Sequence, residues 1–104
     1  MEVEAPWCAG FFDGEGTTSV LAAQRDKWKY PRMSVAQKNP ETLYRFQETL
    51  GGKIYKSNTR EIYNWNLYKY SDVEQALNKM WPFLSEQKKE QALKVFKTCD
   101  DHRL

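Results

Sequence analysis

A short apolar stretch that ends abruptly in glycines constrains this fold more than any other feature of the sequence. Residues 7–12, WCAGFF, predict a short buried helix. The next four residues, DGEG, carry two glycines in three positions, and glycine disfavours a helix while it permits unusual backbone angles. We therefore expect the helix to end within residues 13–16 and to leave one carboxylate, that of Glu15, at its C-terminal tip.

Length and composition predict one small soluble domain that spans residues 1–104, since 104 residues can bury only one modest core. A chain with 40% hydrophobic and 14% aromatic residues is not disordered in composition. No run approaches the roughly 18 apolar residues of a membrane helix, and nothing resembles a signal peptide, so we expect an intracellular protein. Cys8 and Cys99 have neither metal-ligand nor disulfide-framework spacing and are expected to be buried, whereas His102 is expected to lie in a solvated tail.

Alternation and turn signals predict the other elements. We expect strands at residues 17–23, 32–37, 53–56 and 62–68. We expect helices that begin at Asn39-Pro40 and end at Gly51-Gly52, that begin at a capping box at residues 71–74 and end before Pro82, and that span residues 85–99. The order αββαββαα predicts an α+β fold in which helices cover one face of a four-stranded antiparallel sheet.

The sheet face that no helix covers is predicted to carry polar side chains, and residues 25–38 are basic with interleaved aromatic residues. Such a face suits DNA, because Arg, Asn and Ser can read base edges in a groove while Lys holds phosphates. An ordinary solvated sheet face and hairpin would explain the same pattern, and a net charge of +2 alone predicts no partner. The candidate DNA-contacting residues are Ser19, Arg25, Lys27, Lys29, Tyr30, Arg32, Ser34, Lys38, Lys56, Asn64, Asn66 and Tyr68.

Residues 8–16, CAGFFDGEG, resemble the LAGLIDADG motif of homing endonucleases. Four residues match letters of that motif, and Glu15 stands where the family has its second acid; the matching letters are Ala9, Gly10, Asp13 and Gly16. The resemblance covers nearly the whole chain. Residues 33–38 resemble the family's second strand, residues 50–55 its turn into the third strand, and residues 81–92 a proline-ended helix followed by a lysine-bearing one.

The resemblance implies a double-stranded DNA endonuclease that acts as a homodimer on a near-palindromic site, since only one motif copy is present. The two motif helices would pack closely over their small residues, with an interface formed by Trp7, Ala9, Gly10, Phe11 and Asp13. The resemblance further implies Mg²⁺ or Mn²⁺ bound by Glu15 and the Gly14 carbonyl, without a small-molecule cofactor or a membrane.

The resemblance implies Glu15, Gln37 and Lys88 as catalytic residues. The assignment of Lys88 has an alternative: counting back from Gln91 gives Lys88, whereas counting forward from Pro82 gives Gln87. Helical spacing favours Lys88, because positions 88, 92, 95 and 99 share one face of the last helix.

Two departures from the family pattern keep other functions open. A basic residue that often follows the Gln37 position has no clear match, since Glu41 is nearest and Arg45 lies one turn further on. The additional C-terminal helices of single-motif members are also unmatched. The alternatives are a DNA- or RNA-binding protein that does not cleave, such as a maturase or a regulator, and a structural dimer whose sheet face is merely solvated.

Overall fold

Four helices and four strands follow one another in the predicted order. A computed structural model of the chain describes residues 4–22 and 29–101, so Arg25, Lys27 and His102 lie outside the described residues. The elements are α1 Ala5–Glu15, β1 Gly16–Ala22, β2 Lys29–Gln37, α2 Pro40–Leu50, β3 Lys53–Lys56, β4 Tyr63–Leu67, α3 Tyr70–Met80 and α4 Glu86–Asp101, with one 3₁₀ turn at Trp81–Phe83. In the described ranges, no helix is long and apolar enough to cross a membrane.

The four strands form one antiparallel sheet in the order β1-β2-β4-β3. Along β2 and β4, every second side chain is buried under the helices, as at Met33, Val35, Trp65 and Leu67. The intervening positions point to the opposite face, because successive side chains of a strand alternate. The predicted α+β fold, with helices on one face of the sheet, is therefore confirmed.

Aromatic rings from three elements form the centre of the core. Phe46 of α2 packs edge-on against Trp65 of β4 at a ring-centroid distance of 4.6 Å and stacks with Phe12 of α1 at 6.3 Å. All three side chains are fully buried. The Trp65 indole donates a hydrogen bond of 2.7 Å to the carbonyl oxygen of Gly51, so the core also fixes the turn between α2 and β3.

The ends of α2 confirm the local signals read from the sequence. The Asn39 side chain accepts a hydrogen bond of 2.9 Å from the backbone N–H of Glu41, as expected of an N-cap residue. At the other end Gly51 and Gly52 adopt φ values of 78° and 91°, which other residues rarely adopt. The predicted capping box at residues 71–74 is wrong, however, because α3 begins at Tyr70 and has no side-chain cap.

The first helix begins at Ala5, two residues before the predicted apolar stretch, and ends within the predicted range 13–16. It continues through Asp13 and Gly14 to Glu15, and the chain enters β1 directly at Gly16. The two glycines at this junction have very different amounts of free space around them. A Cβ on Gly16 would overlap the ring of Phe12, whereas a Cβ on Gly14 would meet nothing within 4 Å. Gly16 is therefore required by close packing, and Gly14 is not.

Replacing Gly16 by Ala is expected to lower the free energy of unfolding by about 1–3 kcal/mol, the usual cost of overpacking a well-filled core. The matched control is Gly14→Ala, which adds the same methyl group in open space inside a helix and should leave stability unchanged or raise it. Urea unfolding followed by circular dichroism measures both. Equal midpoints for the two variants would contradict the packing argument.

Both cysteines are buried in the core. Cys8 and Cys99 are not joined in a disulfide and have no exposed surface, and their burial confirms the prediction. Burial raises the pKa of the Cys8 thiol above its ordinary value, because the charged thiolate would lose its hydration. Cys8 therefore behaves as a small core residue.

Candidate functional site at the end of the first helix

The C-terminal tip of α1 presents an acid to solvent. Glu15 is exposed and, among the described residues, forms neither a hydrogen bond nor an ion pair. The last carbonyls of a helix lack partners within the helix and carry its partial negative charge. Glu15 adds a full negative charge at the same place. This end of α1 therefore attracts a cation and offers it hard oxygen ligands, including the carbonyl of the exposed Gly14.

A lysine from the last helix lies beside this tip. The Lys88 ammonium donates a hydrogen bond of 2.6 Å to the carbonyl oxygen of Gly16, the residue that follows Glu15, and lies 5.7 Å from the centre of the Phe12 ring. Gln87, the alternative from the sequence, is exposed. The structure thus brings together two of the three predicted catalytic residues, although they are 73 positions apart in the chain. An ammonium group has three donors, so Lys88 keeps two for another ligand.

Two further contacts hold the start of α4, one to α1 and one to the edge strand β1. Ser85 donates its backbone N–H and its hydroxyl to the carboxylate of Asp13, each at 3.2 Å. One turn beyond Lys88, the Gln91 side chain accepts a hydrogen bond of 3.1 Å from the backbone N–H of Thr18. Sequence reasoning missed Gln91, for which the sequence gives no local signal. These contacts fix the position of Lys88 relative to the tip of α1.

The predicted interface residues on α1 do not all face outward. Gly10 is exposed, and Trp7 and Phe11 are half-buried and stack on each other at 5.3 Å. Ala9 is fully buried in the chain's own core, so its side chain has no surface left for a partner and the prediction for it is wrong. The Asp13 carboxylate accepts hydrogen bonds from Ser85 within its own chain, and its assignment to a dimer interface stays a prediction.

Gln37 occupies the last position of β2. Register pairs Gly16 with Val35, so Gln37 lies two residues beyond this pair, toward the end of α1. Its side chain is half-buried, with the exposed Lys38 next to it. Gln37 shares the alternation of Val35 and therefore points to the helix side of the sheet.

Arg45 does not replace the basic residue that the sequence lacks after Gln37. Its guanidinium forms a salt bridge with Glu4, with an Nε–Oε2 distance of 2.6 Å, and lies 4.0 Å above the ring of Trp7. The hydrogen bond from Arg45 lowers the pKa of the Glu4 carboxyl below its ordinary value. Both contacts are at the N-terminal end of α1, a helix of 11 residues and therefore about 15 Å long, away from Glu15.

The open face of the sheet carries most of the predicted DNA-contacting residues. Strand alternation places six of them there within the strands: Ser19, Tyr30, Arg32, Ser34, Asn64 and Asn66. Tyr68 follows β4 in the same alternation and is exposed. Lys29 belongs to the opposite alternation, at the start of β2, and Lys38 follows that strand.

The register of β3 corrects one member of this set. Ile54 pairs with the buried Trp65, so Lys56 shares the helix-side alternation, and its prediction for the open face is wrong. Lys53 and Tyr55 lie on the open face instead, where they pair with Asn66 and Asn64. Ile54, the aliphatic residue of KIYK, was the sequence signal that indicates which side chains of β3 face the helices.

The arrangement of these charged and polar groups suits the binding of a polyanion. An unpartnered carboxylate at the tip of α1 lies near one ammonium group, and the same end of the molecule continues into the polar sheet face. Within residues 4–22 and 29–101, no group of three His, Cys, Asp or Glu side chains could hold a metal ion.

Comparison with known protein families identifies the chain. The family model for the LAGLIDADG endonuclease matches residues 8–99. The chain therefore belongs to the LAGLIDADG endonuclease family. No curated protein sequence matches it.

Solved homing endonuclease structures share the fold. The archaeal intron-encoded homing endonuclease I-Vdi141I, complexed with DNA, is 27% identical with a TM-score of 0.70, over 88% of this chain and 64% of its own. I-CvuI in complex with its target is 20% identical with a TM-score of 0.74, over 90% of this chain and 64% of its own. I-SmaMI bound to cleaved DNA is 21% identical with a TM-score of 0.75, over 91% of this chain and 35% of its own. The present chain thus spans less than two thirds of each of these chains.

Proposed function

We propose that this protein is a divalent-metal-dependent DNA endonuclease that acts as a homodimer on a near-palindromic, double-stranded site. The observation that carries the proposal is the exposed, unpartnered Glu15 at the tip of α1, with the Lys88 ammonium at the neighbouring Gly16 carbonyl. The family membership supports DNA as substrate. Two structures of similar fold contain this kind of partner: I-SmaMI is bound to cleaved DNA, and I-CvuI is in complex with its target.

The outer face of α1 supports the dimer. Its buried face carries Cys8 and Phe12, and the exposed Gly10 lies beside the half-buried, apolar side chains of Trp7 and Phe11. A helix that is apolar all round is expected to be buried on both faces. Glycine costs about 1 kcal/mol in a helix interior, and a Cβ on Gly10 would meet nothing in its own chain. A second copy of α1 packed against this face gives that glycine a function.

The donor set fits a hard divalent cation such as Mg²⁺ or Mn²⁺. A two-fold axis through the α1 faces would bring two copies of Glu15 together, and a divalent cation held by them would relieve the repulsion between the two carboxylates. The exposed Gly14 carbonyl can add a neutral oxygen ligand from each chain. When bound, the cation polarises the scissile phosphate and makes a bound water more acidic.

The chain's own residues bind and orient the substrate. Lys88 stabilises the negative charge that develops on the phosphate, because its two remaining donors lie beside the tip of α1. Gln37 orients the attacking water by a hydrogen bond from the end of β2. The open sheet face binds the outer half-sites, and each subunit cuts one strand.

Replacing Lys88 by Gln is expected to reduce the cleavage rate by about 100-fold or more, as for the loss of one donor to a developing oxyanion. Lys89→Gln is the matched control, since Lys89 pairs with Glu86 at 3.6 Å and lies near Trp81, away from the tip of α1. Single-turnover cleavage of a bound duplex measures both variants. Equal losses in the two variants would remove Lys88 from the mechanism.

A non-cleaving DNA- or RNA-binding protein on the same scaffold is the second candidate. The observation in its favour is that Glu41 occupies the position nearest to the family's basic residue while Arg45 is held by Glu4. Such a protein would retain the dimer and the polar sheet face but would not hydrolyse DNA. Substitution of Glu15 separates the two candidates.

A further inference from the structure

Two side chains on the open sheet face have complementary polar atoms that are covered and unpartnered. Ser19 of β1 and Arg32 of β2 are directly paired across the two strands. The hydroxyl oxygen of Ser19 and the Nε of Arg32 are shielded from solvent, and neither has a hydrogen-bond partner among residues 4–22 and 29–101. Most covered polar groups in folded proteins are hydrogen-bonded, and an unpaired one costs free energy.

Ser19 and Arg32 can form a hydrogen bond with each other without a change in the backbone. Directly opposed residues of an antiparallel pair have Cβ atoms about 4.5–5.5 Å apart, so a small side-chain rotation brings the Arg32 N–H to the Ser19 oxygen. This hydrogen bond would fix the plane of the guanidinium. Its terminal nitrogens are not among the covered, unpartnered atoms. The described residues give Arg32 no carboxylate partner, since the ion pairs there are Arg45–Glu4 and Lys89–Glu86.

We propose that Arg32 reads a guanine in each half of the DNA site, with Ser19 as the residue that positions it. A fixed guanidinium can donate two parallel hydrogen bonds to O6 and N7 of guanine in the major groove, an arrangement that no other base accepts equally well. Ser19 does not contact the base. Its hydroxyl oxygen accepts the hydrogen bond from Arg32 Nε and thereby sets the plane of the guanidinium. This inference rests on the proposed function, because it requires DNA on the open face.

Strand register gives the position of this guanine relative to the cut. Thr17 and Ser34 form the open-face pair that lies one step nearer to Glu15, and Ser19 with Arg32 form the next pair outward. Successive same-face pairs are about 6.7 Å apart along a strand, close to two base-pair steps of about 3.4 Å. The guanine therefore lies about two base pairs farther from the centre of the site than the base that faces Ser34.

A binding selection tests the assignment. Full-length protein is equilibrated in Ca²⁺ with a pool of duplexes that carry randomised palindromic half-sites, and the retained DNA is sequenced. Wild-type protein should select guanine at one position of each half-site, by about tenfold or more over the other bases. Arg32→Gln should lose this preference, because the glutamine amide matches the edge of adenine rather than the two acceptors of guanine. Ser19→Ala should weaken it, and Ser19→Thr, which keeps the hydroxyl, should restore it.

The matched control is Lys38→Gln, which removes one positive charge beside the sheet and should weaken binding to all sequences evenly while the guanine preference remains. If Arg32→Gln behaves like Lys38→Gln, Arg32 contacts a phosphate and the proposal is overturned. If wild-type protein retains no duplex of any sequence, the proposed function itself fails, which is a different result from bound DNA without a guanine dependent on Arg32.

Discussion

Glu15→Gln is expected to abolish metal-dependent DNA cleavage, with a loss of at least about a thousandfold. Glutamine has the same shape but no charge, so two copies of it at the dimer axis cannot hold a divalent cation, which contributes several kcal/mol to such reactions. Stability and DNA binding should be preserved, because Glu15 is exposed and forms no hydrogen bond or ion pair in the described part of the chain. Nicking of supercoiled DNA in Mg²⁺ and gel retardation in Ca²⁺ measure the two properties separately.

Glu74→Gln is the matched control for this substitution, since Glu74 is an exposed acid on α3 and lies away from the tip of α1. It should cleave at the wild-type rate. Wild-type cleavage by the Glu15 variant would exclude Glu15 as a metal ligand. If wild type and variant both bind DNA and neither cuts it, the non-cleaving alternative is correct.

Gly10→Leu is expected to convert the dimer into a folded monomer and to eliminate double-strand cleavage. A Cβ on Gly10 would meet nothing within 4 Å of its own chain, so a leucine there begins in open space and the variant is expected to fold. The same side chain would hold two α1 helices apart by the thickness of a side chain, and the two Glu15 carboxylates could no longer share one cation. Sedimentation equilibrium measures the oligomeric state, and circular dichroism confirms the fold.

The control for Gly10→Leu is Asn78→Leu, which adds an apolar side chain at an exposed position of α3. It should remain a dimer and retain cleavage activity. A Gly10→Leu protein that sediments as a dimer would place the interface elsewhere on the molecule. That result would also contradict the predicted roles of Trp7 and Phe11 in the interface.

Elements with local signals were predicted well. The N-cap at Asn39, the glycine pair at the end of α2 and the alternation of β2 and β4 are each encoded within a few residues. They need no knowledge of the rest of the chain, because capping, left-handed backbone angles and period-two burial are short-range effects.

Some boundaries of the helices depend on distant contacts. The helix α1 continues through Gly14 although glycine costs about 1 kcal/mol there, since its last turn packs Phe12 in the core and places Asp13 on Ser85. The start of α3 at Tyr70 has a similar cause. The Tyr70 hydroxyl donates a hydrogen bond of 2.9 Å to Asp100, and its ring packs on Phe96, both residues of α4. No pattern near residue 70 reports these contacts.

The sequence predicted which residues form the candidate site better than it predicted which way their side chains face. The motif identified Glu15, and helical spacing favoured Lys88, whose bond to Gly16 spans 72 positions of the chain. Sequence could not tell that Ala9 faces the core of its own chain, because small residues occur on either face of such a helix. The pairing of β3 with β4 decides that Lys53 and Tyr55, rather than Lys56, occupy the open face.

Cleavage of a pool of randomised palindromic duplexes tests the central proposal most directly. Purified protein is incubated with the pool in Mg²⁺, with EDTA and Glu15→Gln as controls, and the cut ends are sequenced. The proposed function predicts staggered cuts at one recurring, near-palindromic sequence, all of which vanish in EDTA and in the variant. Intact DNA in Mg²⁺ and in Mn²⁺, with duplexes still retained by the protein, would contradict a metal-dependent endonuclease.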